Sequence, residues 1–337
     1  MTQHRDGGTA ETATPRNDGA APAQGFRLRL GLLRDSAVAV TLVVLFGGLT
    51  FSTNSFFAEQ NLKNVLEQST TVGLIAVAGT LVIIAGGFDL SVGSIFAVSG
   101  VIAAQAALHG DPTLGLVVGI VAGALFGLGN GLLVTVLRIN PFIATLGSAI
   151  VIAGIALRIT HGDLITVDFE SSFTHLGLNS LFGFKYSIWL WFGFALLMGL
   201  VLARTTLGRY LYAAGGNEEA ARLSGVRVGL VRTITYVLSG FAAGLAGVIS
   251  ASQIGTGQAD VGSELGLTVV AAIVVGGTSI WGGQGAIWRT MVGVLLLSLI
   301  SNGFNLNGID PVYYNIVYGG IILVAAGLDA FLRRRGA

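Results

Sequence analysis

Cysteine is absent from the 337 residues, and lysine occurs only as Lys63 and Lys185. Without thiols the chain has no disulfide, no thiolate metal site and no cysteine nucleophile, and its redox compartment stays open. Charge is scarce too: 10% of residues are Asp, Glu, Lys or Arg, against 53% hydrophobic, whereas soluble proteins carry charge on about a quarter. So few charges would not cover a soluble globule of this size, and a lipid-facing surface removes the difficulty. The mean hydropathy of +0.79 agrees. A formal net charge of +1 offers nucleic acid no basic footprint; in a membrane chain the position of the cations matters more than their sum. The phosphate-cradling motif Gly-x-x-x-x-Gly-Lys-Ser/Thr is also missing, so no motor of that type lies in the chain. The four histidines, His4, His109, His161 and His175, are scattered and not spaced as metal ligands, and no resident metal is expected.

What is present is a series of apolar windows. Residues 1–34 are polar, contain Pro15 and Pro22, lack helical periodicity and read as a disordered tail. An uncleaved first span follows at about 37–57, then windows at 69–85, 91–108, 114–137, 142–160, 188–203, 233–252, 267–280, 286–304 and 312–331. The expectation is an all-α polytopic protein with about ten transmembrane helices over residues 35–332, and a tail at 333–337. Windows 91–108 and 267–280 are short and glycine-flanked, which suits broken or re-entrant helices. With ten spans and a cytoplasmic amino terminus, 15 of the 18 cations fall inside, leaving Lys63, Arg158 and Lys185 outside. Both termini are therefore expected to be cytoplasmic.

Glycine is abundant, 51 residues, about twice the usual share. Gly115, Gly119, Gly123, Gly127 and Gly131 recur every four residues and form one smooth helix face, suited to close helix packing, with a direct part in a conduit as the alternative. A second feature is the run Gly86, Gly87, Phe88, Asp89, Leu90, Ser91, Val92, Gly93. A carboxylate at mid-bilayer costs about 2.5–3.5 kcal/mol on insertion scales, so Asp89 reads either as a cap for the helix starting near Ser91 or as a group on a substrate path. A third is the polar stretch 204–232. There Gly215 and Gly216 break the chain, Asn217 is placed to cap, Glu218 and Glu219 occupy a helical first turn, and Gly225 ends the turn. This predicts a short surface helix between two spans, with an ordinary charged loop as the alternative. The segment 276–285 is dense in glycine and small hydroxyl residues, and reads as a tight turn because neither a preceding strand nor a basic residue is present to make it a phosphate loop.

Residues Asn217, Glu218, Glu219, Ala220, Ala221, Arg222, Leu223, Ser224 and Gly225 resemble the Glu-Ala-Ala loop of ABC importer permeases, and in particular the ribose, arabinose and xylose branch of the sugar and branched-chain amino acid permease superfamily. The resemblance extends to Gly87–Gly93, to Pro141 with Thr145, Leu146 and Gly147, to Gly276, Gly277, Thr278 and Ser279 with Gly282, Gly283, Gln284 and Gly285, and to Asn302 and Gly303. The departures are the long polar amino tail and Phe88, where an aliphatic residue is expected.

This resemblance implies a multi-pass permease of the cytoplasmic (inner) membrane and not an enzyme. It would pair with a second permease subunit as a homodimer or heterodimer. Two partner ATPases would use ATP and Mg and dock at Gly215, Gly216, Asn217, Glu218, Glu219, Ala220, Ala221, Arg222 and Gly225. An extracytoplasmic sugar-binding protein would dock outside, with Asp260 and Glu264 as contacts. Candidates for a sugar path are Asp89, Asn130, Asn302, Phe304 and Asn305, being polar or aromatic residues in or beside spans, though helix packing explains them as well. Two other functions stay open: a branched-chain amino acid permease of the same architecture, and an ion-coupled secondary transporter using Asp89 or Glu67.

Overall fold

The computed structural model describes residues 40, 42–51 and 55–310, with scattered positions from 312 to 327. The expected tails 1–34 and 333–337 lie outside the described residues, as do parts of the expected first and last spans. The helices are α1 (Leu42–Phe51), α2 (Glu59–Ile84), α3 (Val92–His109), α4 (Pro112–Thr135), α5 (Pro141–Thr160), α6 (Ser172–Leu178), α7 (Tyr186–Arg204), α8 (Thr206–Gly216), α9 (Glu218–Leu223), α10 (Val228–Ile254), α11 (Leu265–Val275) and α12 (Ile287–Leu306). Seven of them, α2, α3, α4, α5, α7, α10 and α12, are long and apolar enough to cross a membrane, so the chain is an all-α polytopic protein. Strand is confined to two-residue pairs: β1 (Ile165–Thr166), β2 (Ser180–Leu181), β3 (Phe184–Lys185) and β4 (Thr256–Gly257), with β1 antiparallel to β4 and β2 to β3.

Local chemistry sets the helix starts. Asp111 accepts hydrogen bonds from the Thr113 and Leu114 amides at 2.7 and 3.0 Å, with Pro112 in the first helical position of α4. Asn140 and Pro141 repeat the arrangement for α5, the Phe142 amide donating at 3.0 Å. Helix α2 starts at Glu59, well before the apolar window at 69–85, because its polar first turns support themselves: Lys63 pairs with Glu59 at 2.6 Å and Gln60 donates to Asn64 at 2.9 Å.

Helices α2 and α10 form the centre of the bundle, while α4 and α5 expose most of their surface. On α5 the exposed residues include Phe142, Ile143, Leu146, Ile150, Val151, Ile155 and Leu157, a surface fit for lipid or another apolar surface. The α4 glycine ladder faces inward. A Cβ added at Gly115 would stand 2.7 Å from the Ala103 carbonyl oxygen on α3, and one at Gly123 would stand 2.6 Å from the Gly240 carbonyl oxygen on α10. Gly240 and Gly244 answer from α10, so the two backbones meet with nothing between them.

Helix α11 is an apolar half-helix of 11 residues, about 16 Å long at 1.5 Å per residue. The stretch 255–264 before it is non-helical apart from the β4 pairing, and it runs along α3: Gly257 abuts Val101 and Ala104, and Gly262 abuts Gly93 and Phe96. Non-helical backbone beside a membrane helix needs protein around it. Here α3, α10 and β1 supply that cover, so the span expected at 267–280 is a half-helix preceded by non-helical chain.

Candidate functional site

The stretch 204–232 folds as two helices, where the sequence suggests one. Thr205 caps α8 through the Gly208 amide at 3.3 Å, and Asn217 caps α9 through the Ala220 amide at 3.0 Å. The additional helix, α8, is amphipathic: Gly208, Leu211 and Ala214 are buried while Arg209 and Tyr210 are exposed. On α9 only Ala221 is buried; Glu218, Glu219 and Ala220 are exposed, as are Arg222 and Leu223. Arg222 donates to Glu219 at 2.7 Å, and the carboxylate raises the guanidinium above its ordinary value, first through that hydrogen bond and then through its charge. Gly225, at φ +84, turns the chain out of the short helix into α10.

The glycines from three separate parts of the sequence meet at this end of the bundle. Gly86, just after α2, lies 3.7 Å from Gly215 measured from the Cβ it lacks. Gly282 packs on Gly86 and the Gly215 carbonyl, and Gly283 packs on Gly216 while its amide donates to the Ile84 carbonyl at 2.9 Å. Gly86, Gly282 and Gly283 have positive φ. A Cβ at Gly215 would overlap the Ile84 carbonyl oxygen and stand 2.6 Å from the Gly283 nitrogen, whereas one at Gly216 would meet nothing within 4 Å. Tyr212 of α8 adds a tie by donating to the Gly285 carbonyl at 2.8 Å; burial pushes its phenol upward, so the hydroxyl stays a donor. The α8–α9 junction, the end of α2 and the α11–α12 turn are therefore joined backbone to backbone.

From this junction one face of α10 runs along the residues that link α2 to α3. Arg232 donates through Nε to the Ala85 carbonyl at 3.0 Å and through Nη1 to the Glu218 carboxylate at 2.8 Å. One turn on, the Tyr236 hydroxyl donates to the Phe88 carbonyl at 3.0 Å and accepts from the Phe88 amide at 3.3 Å. Ser239 donates to Asp89 Oδ2 at 2.7 Å. Asp89 Oδ1 also accepts from the Ser91 amide at 3.0 Å and the Ser91 hydroxyl at 2.6 Å, and Asn130 of α4 donates to that hydroxyl at 2.6 Å. Thr145 of α5 accepts from the Leu90 amide at 3.2 Å. Asp89 is thus a buried junction of α4, α10 and Ser91, the residue that precedes α3, and it holds that residue without capping the helix itself. Sequence spacing could not reveal Arg232, Tyr236, Ser239 and Thr145 as its companions, because their partners come from the tertiary fold.

The other path candidates stand elsewhere. Asn302 of α12 exchanges amide hydrogen bonds of 2.8 and 3.2 Å with Asn61, in the first turn of α2. That is the opposite end of α2 from Asp89, about 35 Å away along the helix. Phe304 is half-buried and Asn305 exposed near the same end. Asp260 and Glu264 are exposed on the bends and turns between β4 and α11, beside α3. Gly262 between them packs on Gly93, in the first turn of α3.

Comparison with known proteins adds a family. Residues 61–326 match the profile described as branched-chain amino acid transport system / permease component. The L-arabinose ABC transporter permease protein AraH of Azospirillum brasilense is 35% identical over 96% of this chain and 96% of its own length. The ribose import permease protein RbsC of Escherichia coli (strain K12) is 35% identical over 88% of this chain and 94% of its own. The D-allose transport system permease protein AlsC of the same strain is 33% identical over 88% and 91%. No solved structure matches the chain.

Proposed function

The chain belongs to this permease family, and from that membership we propose that it is the membrane subunit of an ATP-binding-cassette importer that carries a monosaccharide across the cytoplasmic membrane. The carrying observation is the end-to-end match to an arabinose permease, joined by relatives named for ribose and allose. Three sugar-named relatives favour a sugar over a branched-chain amino acid, although the family's description names the latter. The protein is a multi-pass inner-membrane protein and a transport subunit.

In this reading α1, the α11 crossing with the non-helical chain before it, and the expected last span at 312–331 bring the seven long helices to ten. Fifteen of 18 cations inside support cytoplasmic termini. Residues 1–34 and 333–337 are then cytoplasmic tails around a membrane domain at 35–332. The α9 helix, with Gly215 through Arg222 and Gly225, docks on an ATPase that binds the ATP and Mg, and a second permease copy or sister chain completes the conduit. Its exposed, capped form supports docking, and its backbone junction with α2 supports a mechanical link. Closure of the ATPases would push α9 and reorient the spans around the Asp89 junction, giving alternating access. Asn130 and Asp89 then serve the inner part of the path, while Asn302, Phe304 and Asn305 lie near its outer part. Asp260 and Glu264, both exposed, are the contacts proposed for the extracytoplasmic binding protein.

The test is uptake by liposomes holding the permease with its ATPase and binding protein. Labelled ribose, arabinose or allose should enter with ATP inside; leucine should not. Leucine uptake in place of sugar would support the amino-acid reading. Uptake driven by an ion gradient, by this chain alone and without nucleotide, would replace the importer assignment with a secondary transporter.

A further inference from the structure

Arg232 occupies a position that neither the resemblance nor the comparisons assign. Its guanidinium is the only group among the described ion pairs that binds α9 and the α2–α3 linker at once, touching Glu218 at 2.8 Å and the Ala85 carbonyl at 3.0 Å. Its side chain is 18% exposed, while that of Glu218 is 56% exposed, so the pair runs from surface to interior. Beyond it, Tyr236 and Ser239 follow on the same α10 face at the i+4 and i+7 positions. They hold Phe88 and Asp89, the next polar points along the linker. The linker is thus held by α10 at Ala85, Phe88 and Asp89; among the described hydrogen bonds and ion pairs, an α9 side chain reaches it through Arg232, beside the backbone packing of Gly86 on Gly215 at the α8–α9 junction.

Resting on the coupling reading above, we propose that Arg232 is a positioning residue that transmits displacement of the α9 helix to the 85–91 linker at the base of α3. The two bonds come from different nitrogens of one planar group. Moving Glu218 therefore turns or tilts the guanidinium and with it the hold on Ala85. Lysine keeps the charge but has a single nitrogen on a flexible stem, so it cannot hold both partners in that fixed geometry. Gly86 leaves room for the guanidinium: a Cβ there would stand 3.3 Å from Arg232 Nη2.

The absence of cysteine allows a direct test on the permease assembled with its ATPase in liposomes. Leu90→Cys reports on the linker and Leu223→Cys, on exposed α9, reports on docking. The rate of maleimide modification is measured without nucleotide and with ATP and vanadate. In the otherwise unchanged chain, nucleotide should alter the rate at Leu90→Cys, and the ATPase should shield Leu223→Cys. With Arg232→Lys added, the nucleotide effect at Leu90→Cys should be lost while the shielding stays. A nucleotide effect that persists with Arg232→Lys overturns the relay. Loss of shielding with Arg232→Lys makes Arg232 a docking residue and equally overturns it. If the unchanged chain is shielded but Leu90→Cys ignores nucleotide, the relay fails and docking stands; if it is never shielded, the coupling reading itself fails.

Discussion

Gly215 and Gly216 are adjacent at the end of α8, yet the structure predicts opposite results for alanine at each. At Gly215 the methyl group would overlap the Ile84 carbonyl oxygen and press on the Gly283 amide at 2.6 Å. Both obstacles are backbone, and the Gly283 amide and Ile84 carbonyl are bonded to each other at 2.9 Å, so neither can turn aside as a flexible side chain would. Overpacking of this kind costs about 1–3 kcal/mol. At Gly216 the methyl group enters open space, leaving only the gain in helix propensity, up to about 1 kcal/mol. Thermal unfolding of the detergent-purified variants measures the difference, read as an apparent midpoint at one scan rate. A shift of roughly 2–4 °C per kcal/mol applies to chains of 150–250 residues; Gly215→Ala should melt a few degrees below the unchanged protein and Gly216→Ala at or above it. Sugar uptake per ATP hydrolysed should fall in Gly215→Ala alone, because the three segments must separate to admit the methyl group. Equal melting and equal coupling in the two variants would refute the junction.

The α4 ladder predicts a similar contrast: Gly127→Ala should lower the melting midpoint, since its Cβ would overlap the Tyr236 carbonyl and stand 2.9 Å from Gly240 Cα, whereas Gly129→Ala, with nothing within 4 Å, should not. Asp89→Ala strips the acceptor from the Ser91 amide and the Ser91 and Ser239 hydroxyls, each buried loss costing about 1–3 kcal/mol. Asp89→Asn keeps one carbonyl acceptor, so assembled protein and uptake should be partly retained in Asn and lost in Ala; equal loss would show that the charge itself is required. Reversing both acids of α9, Glu218→Lys with Glu219→Lys, should leave the protein inserted while ATP hydrolysis proceeds without uptake; normal coupling would count against α9 as the docking element.

The long spans were legible because twenty apolar residues have few other uses, and the glycines of α4 announced a packing face by their spacing of four. The cap at Asn217 and the turn at Gly225 were legible for the same local reason: each acts on backbone within a few residues. The polar start of α2 was not, because hydropathy registers the apolar residues and misses the Glu59–Lys63 pair that extends the helix. Helix α8 was missed because an amphipathic eleven-residue helix blends into a charged loop. The glycine junction joins positions near 86, 215 and 283; nothing local to any one of them names the other two. Likewise Arg232, Tyr236 and Ser239 share a helix face by spacing alone, but their partners at Ala85, Phe88 and Asp89 come from the tertiary fold.

Where α4 crosses α10, each helix occupies the volume that any side chain on the other would need, at Gly123 and Gly127 on one and Gly240 and Gly244 on the other. A crowded pair of side chains can drift over generations by trading size, one shrinking as its neighbour grows. Here there is nothing left to shrink, since the obstacle on both sides is main chain. Such a crossing cannot be repaired one substitution at a time: a descendant either keeps glycine at these points or moves the two helices apart and rebuilds everything that leans on them.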